Sequence, residues 1–135
     1  MLKIRRILES GAMQFICGKI TKEQCDRLDE LTENIVFSVS MTERIEADEE
    51  FHKLIIQIAD NPMLDHLYDM IHCMLSYLMN ALMDCEEVVS KAYKAHKDIV
   101  VALRTGNLES CVQAINNHLI TVENFAAQYV LRKQE

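Results

Sequence analysis

Helix-ending residues interrupt this chain clearly at only three places, "CGKIT" at 17–21, "ADNPM" at 59–63 and "RTGNL" at 104–108. Between them apolar residues recur at alternating steps of three and four, which gives each segment one dry face and one wet face when it coils as an α-helix. One proline and three glycines in 135 residues, with no tryptophan and half the residues apolar, fit a helical protein and no other class as well. The fold expected is all-α, and its short connections favour antiparallel neighbours in a bundle.

The boundary signals place the elements. A first helix is predicted from about residue 2 to Cys17, with Gly18 as its terminator. Thr21 with Gln24 forms a capping box for a second, which should end between Ser38 and Thr42. A third ends at "ADNP", where Asn61 caps and Pro62 takes the first position of a fourth helix over 62–83. Asp84 with Glu87 resembles a capping signal for a fifth. Gly106 then suits a left-handed cap, and Asn107 caps a sixth helix that runs nearly to the end. No repeat, linker or low-complexity tract divides residues 1–135, and a chain of this length buries a core without metal or disulfide staples.

A net charge of −7 excludes a phosphate-backbone footprint on this chain. Five cysteines without a C-x-x-C spacing read as reduced, buried thiols of a cytosolic protein. The basic start "MLKIRRILES" runs into Glu9 and Gln14, so no signal-peptide core forms. The longest apolar run, "MIHCMLSYLMNALM" at 70–83, is shorter than the roughly 20 residues a membrane span needs. A cytoplasmic location without membrane contact is expected.

Against this background four polar residues stand in the wrong place. In "IEADEEFHKLIIQIA" (45–59), Asp48 and His52 lie on the apolar stripe of Ile45, Ile55 and Ala59. His96 falls on the stripe of Val89, Tyr93, Val100 and Leu103, and His118 on that of Cys111, Ile115, Val122, Phe125 and Tyr129. His96 is ten residues before Gly106 and His118 twelve after it, so in an antiparallel hairpin both stand roughly 15–18 Å from the turn and face each other. A single histidine on such a stripe is ordinarily a core residue bonded to a carbonyl. A buried carboxylate beside three imidazoles is different, because a cation removes the cost of burying its charge. Asp48, His52, His96 and His118 are therefore candidate metal ligands. His66 reads as surface, and His72 is left open. The Met-rich fourth helix reads as adaptable core, with a stripe of Leu67, Met70 and Met74 and an inward side for the undecided His72 near Leu75 and Met79. Arg5, in "KIRR", is either an exposed charge or leans inward to hold an anion.

The segments "RRILE" (5–9), "DEEFHKLIIQIADNPML" (48–64), "HKDIVVALRTGN" (96–107) and "CVQAINNHL" (111–119) together resemble the C-terminal effector-binding domain of FadR-type regulators in the GntR family, known as FCD. The resemblance covers essentially the whole chain. It implies an antiparallel bundle of six to seven helices enclosing a central pocket, a divalent metal on Asp48, His52, His96 and His118, and a small carboxylate effector above it. It further implies Arg5 as an effector contact, a homodimer, and DNA binding through an N-terminal winged-helix domain to which nothing here corresponds. Two positions depart from the family pattern: Ala95 stands where a Glu often precedes the third ligand, and Asn107 where an Asp often follows the turn glycine.

The function expected is that of a ligand-sensing, dimerising domain of a bacterial transcriptional regulator. Nitrogen and oxygen donors together suit Zn, Ni, Fe or Mn, and leave one or two coordination positions for effector oxygens. Two rival readings are a metal-dependent helical-bundle enzyme, which lacks a general base since Glu49 and Glu50 should face away, and a metal-free helical interaction module.

Overall fold

The computed structural model describes residues 1–134, and among them six α-helices and no strand. They are α1 (Leu2–Ile16), α2 (Lys22–Phe37), α3 (Met41–Ile58), α4 (Pro62–Met83), α5 (Glu86–Thr105) and α6 (Leu108–Gln134). The capping chemistry explains most of the boundaries. Thr21 Oγ1 accepts the Gln24 N–H at 3.1 Å while the Gln24 side chain accepts the Thr21 N–H at 2.9 Å. Ser40 caps α3 through the Glu43 N–H. Asp60, at φ 53°, takes the left-handed conformation that ends α3, and the Asn61 side chain then accepts the N–H groups of Met63 and Leu64. Gly106 turns the chain at φ 72° between α5 and α6, and Asn107 Oδ1 accepts the Ser110 N–H at 2.9 Å. One expected cap differs. Asp84 closes α4 instead of opening α5, whose N-cap is Cys85 with no side-chain bond; the negative charges of Glu86 and Glu87 in its first turn stand in for it.

Helices α1, α6, α5, α2 and α3 pack side by side in that order into a ring that closes between α3 and α1, and α4 lies across the α1–α3 edge with only slight contact to α5 and α6. The ring encloses two apolar cores. The larger is centred on Met13, Ile16, Leu28, Phe51, Ile55, Ile99, Leu103, Ile115 and Leu119 at the Gly106 end. The smaller gathers Ile35, Leu82, Met83, Val88, Val89 and Ala126 at the other end. Between them lie the buried polar side chains of Arg5, Glu9, His52, His96 and His118.

The fourth helix is rotated by about one residue from its expected phase. Tyr68, Ile71, Leu75 and Leu82 face inward, whereas Met63, Met70 and Met74 are 60–65% exposed and Leu67 39%. The reason is that α4 is apolar on nearly every face, so periodicity alone does not select the buried one. Likewise two of the five thiols expected in the core, Cys73 and Cys85, are exposed. No helix among the described residues is long and apolar enough to cross a membrane.

Gly106, like Gly18, takes a left-handed backbone. A Cβ there would meet nothing closer than Gly18 Cα at 3.9 Å, an ordinary contact, so the cost of a side chain is the left-handed φ alone. Gly106→Ala should destabilise the domain by about 1–2 kcal/mol, seen as a lowered urea midpoint with unchanged slope.

Candidate metal centre

Helices α3, α5 and α6 each send one imidazole into the polar layer. Their Nε2 atoms form a near-equilateral triangle: His52 to His96 3.1 Å, His96 to His118 3.0 Å, His118 to His52 3.3 Å. The residues are 1%, 0% and 4% exposed. Three imidazoles binding one cation at about 2.1 Å would have nitrogens about 3.0 Å apart at right angles and about 3.4 Å apart in a tetrahedron. The observed edges fall between those limits. Left to themselves, three facing nitrogens cannot satisfy one another, since a lone pair on each repels the others and a proton on one serves at most its two neighbours. The donor set thus fits a divalent cation.

The protonation chemistry agrees with the geometry. Burial, reinforced by the neighbouring imidazoles and Arg5, pushes His96 well below its ordinary pKa of 6.5, and burial with His52 and Arg5 does the same to His118. Both rings are neutral at pH 7, the form a metal requires. On the far side of His52, Nδ1 hydrogen-bonds Glu9 Oε1. Donating that proton to a carboxylate leaves the Nε2 lone pair aimed at the triangle. Glu9 is wholly buried, and burial pushes its pKa up, yet His52 and Arg5 outweigh that and hold it below the usual carboxylate range. Arg5 Nε donates to Glu9 Oε2 at 2.7 Å, and Glu9, Tyr68 and Asp48 keep Arg5 charged against the effect of burial. His96 stacks on Phe51, ring centroids 3.9 Å apart, and its Nδ1 is buried without a hydrogen-bond partner among the described residues.

The structure brings three of the four candidate ligands into one cluster and leaves the fourth beside it. Asp48 Oδ1 stands 3.5 Å from His96 Nε2 and 3.8 Å from His52 Nε2, too far for hydrogen bonds. It borders two small cavities that it shares with Arg5. One, of about 20 Å³, lies among Asp48, His52, His118, Met79, Met83 and Val88. The other, of about 10 Å³, reaches Tyr68, His72 and Leu75. Each has room for about one water, too little for an organic acid; a wider groove of about 630 Å³ between α5 and α6 reaches His118 from the outer side. His72 is outside the cluster, 3.7 Å from Glu49 and stacked on Tyr68, and His66 is exposed. Glu9 escaped the sequence reading, although its spacing of four from Arg5 inside "RRILE" is that of a helical ion pair.

The family model for the FCD domain matches residues 1–121. The chain belongs to the FCD family. It is an effector-binding domain of GntR-type regulators and not an enzyme. Among curated proteins it is 26% identical over 135 residues to the HTH-type transcriptional regulator LutR of Bacillus subtilis (strain 168), covering 96% of this chain and 62% of LutR. Among solved structures, Streptococcus agalactiae GntR shares the fold with a TM-score of 0.72 at 23% identity, over 91% of this chain and 56% of that one. The chain thus spans little more than half the length of these relatives. Of the two departures from the FCD pattern, Asn107 keeps the cap of α6, and Ala95 lines the surface groove between α5 and α6 that also reaches His118.

In this FCD domain Glu9 serves both Arg5 and His52. Glu9→Ala would leave a guanidinium buried without a counter-charge and should cost about 3–5 kcal/mol of stability, whereas Glu9→Gln, which keeps an acceptor, should cost less. Urea unfolding of the three proteins checks the order.

Proposed function

We propose that this domain holds a divalent cation on His52, His96 and His118, with Asp48 as a further oxygen ligand, and uses it to capture a small organic acid. The observation that carries the reading is the triangle of three buried Nε2 atoms from three separate helices, each edge 3.0–3.3 Å. Zn, Ni, Fe and Mn all accept such a set, and a bound cation would supply positive charge for an effector carboxylate. Arg5 is already paired with Glu9, so its part is to border the space the acid enters and to contribute a second, shared, positive group. Within the whole regulator, DNA contact belongs to a winged-helix domain outside this chain, and the setting is the cytoplasm.

Effector binding requires movement. The cavity beside Asp48 holds about one water, and its outer wall is made by Met79, Leu82 and Met83 of α4. An acid must push this helix outward, and α4 is the helix least tied to its neighbours. Two packings of α4, differing in affinity for the acid, are what a sensor needs, because a ligand shifts an equilibrium only by its differential affinity.

A second copy of the chain is the partner proposed for the outer face. Arg6 pairs with Glu123 and Ser10 with Asn116, tying one flank of α1 to α6; Lys53 with Asp69 and Glu49 with His72 tie one flank of α4 to α3. The remaining flanks carry Ile4, Ile7 and Phe15 on α1 and Met63, Met70, Met74 and Tyr77 on α4, each 48–79% exposed. Together they offer on the order of 800–1,000 Å² of apolar surface, more than a typical monomer exposes and about what one partner buries in a stable dimer.

Elemental analysis of purified protein should find about one equivalent of a transition metal, lost in His96→Ala. Asp48→Ala, at a partly exposed position that keeps the core intact, should weaken metal affinity at least about tenfold. Metal-free wild-type protein that stays so after incubation with each of the four cations would refute the site. Calorimetry on metal-loaded protein with two- to six-carbon acids should give saturable heats, and indifference to all of them would remove the effector reading while leaving the metal. Light scattering should report a dimer that Met70→Asp converts to monomer; a monomeric wild type would remove the dimer.

A further inference from the structure

At the end of the bundle where α1 stops and α6 starts, away from the histidine layer, two thiols face each other. Cys17, half-buried at the C-cap of α1, and Cys111, fully buried in the second turn of α6, have their Sγ atoms 3.9 Å apart. Cys17 also donates to the Gly106 carbonyl at 3.2 Å, and Gly18, at φ 78°, follows it outside the helix. Neither sulfur takes part in the metal centre. We propose that Cys17 and Cys111 form an oxidisable pair that closes to a disulfide when the domain meets a peroxide.

The two sulfurs have different tasks. Cys17 is the one a peroxide can reach. Its thiolate attacks one peroxide oxygen, the O–O bond breaks, and the departing hydroxide takes up the thiol's proton, leaving a sulfenic acid and one water. The Cys111 sulfur then attacks the Cys17 sulfur; the S–S bond forms, the S–O bond breaks, and hydroxide leaves as water with the Cys111 proton. Two thiols lose two electrons in all, and the peroxide becomes two waters. Burial, with Cys17 alongside, pushes the Cys111 thiol up to about 12, so Cys111 is not the sulfur that meets the peroxide. Closure needs the sulfurs to approach by about 2 Å. Cys17 lies past the last helical residue of α1, so its side chain can turn toward Cys111 once it releases the Gly106 carbonyl.

The bond would join two of the four helices that serve the histidine layer. Glu9 lies eight residues before Cys17 on α1 and His118 seven after Cys111 on α6, so the crosslink sits about 11–12 Å from that layer and opposes separation of α1 from α6. It forms whether or not a metal is bound.

Reduced wild-type protein is exposed to hydrogen peroxide, trapped with an alkylating agent and mapped by peptide mass spectrometry. The expected product is an intramolecular Cys17–Cys111 crosslink lighter by two hydrogens, absent in Cys17→Ser and retained in the Cys73→Ser/Cys85→Ser double variant, whose exposed thiols act as controls. The oxidised wild type should also melt higher than the reduced form, and Cys17→Ser should show no such rise. Accumulation of Cys17 as sulfinic acid without a crosslink would overturn the proposal. So would full alkylation of Cys17 and Cys111 at peroxide levels that oxidise Cys73 and Cys85.

Discussion

A polar layer cuts this bundle's core in two, and the rest of the structure is arranged so that the layer can be afforded. Above and below it are side chains of ordinary kind, Phe51, Ile55, Ile99 and Ile115 on one side and Leu82, Met83 and Val89 on the other. Within it, Arg5 and Glu9 neutralise each other and Glu9 orients His52. That leaves three imidazoles whose Nε2 atoms have no protein partner but one another. Isolated, such a layer is a defect in an apolar interior. A cation at its centre would give every inward lone pair a partner and would make the layer a fixed point for α3, α5 and α6.

The positions of the histidines were legible because helical geometry is rigid and the turn between α5 and α6 is short. Counting ten and twelve residues from Gly106 places His96 and His118 level with each other, and the structure puts their Nε2 atoms 3.0 Å apart. Asp48 and His52 shared a stripe for the same reason. What could not be read was anything decided by a third dimension. Glu9 looks like an ordinary partner of Arg5 on a solvated helix until α1 is laid against α3, when it becomes the acceptor for His52 Nδ1. Asp48 has the right phase, but phase does not report that its carboxylate stands 3.5 Å from the nearest imidazole nitrogen. The fourth helix was read in the wrong phase because Leu67, Met70 and Met74 form as good a stripe as Tyr68, Ile71 and Leu75. Amphipathicity identifies a buried face only when the other face is polar.

That ambiguity in α4 carries meaning of its own. A helix with two apolar faces has something to cover on each side, and here the inner face is thinly packed while the outer is bare. The inner face supplies Met79 and Met83, long and unbranched, over the cavity beside Asp48 and His118. Such side chains repack with little loss, so the wall over the histidines yields more easily than the ring of five helices beneath it.

The two faces are also mechanically coupled, since a helix moves as a rod. A ligand that lifts Met79 and Met83 away from the histidines must displace Met70, Met74 and Tyr77 on the same rod. If those side chains meet a second copy of the chain, the geometry of that contact changes with occupancy of the centre. No chain of residues through the core is needed to carry the signal, because the wall of the ligand site and the proposed dimer surface belong to one element. By linkage, the dimer contact must bias the closed or the open position of α4 in return, so the domain's affinity for its acid would depend on its state of assembly.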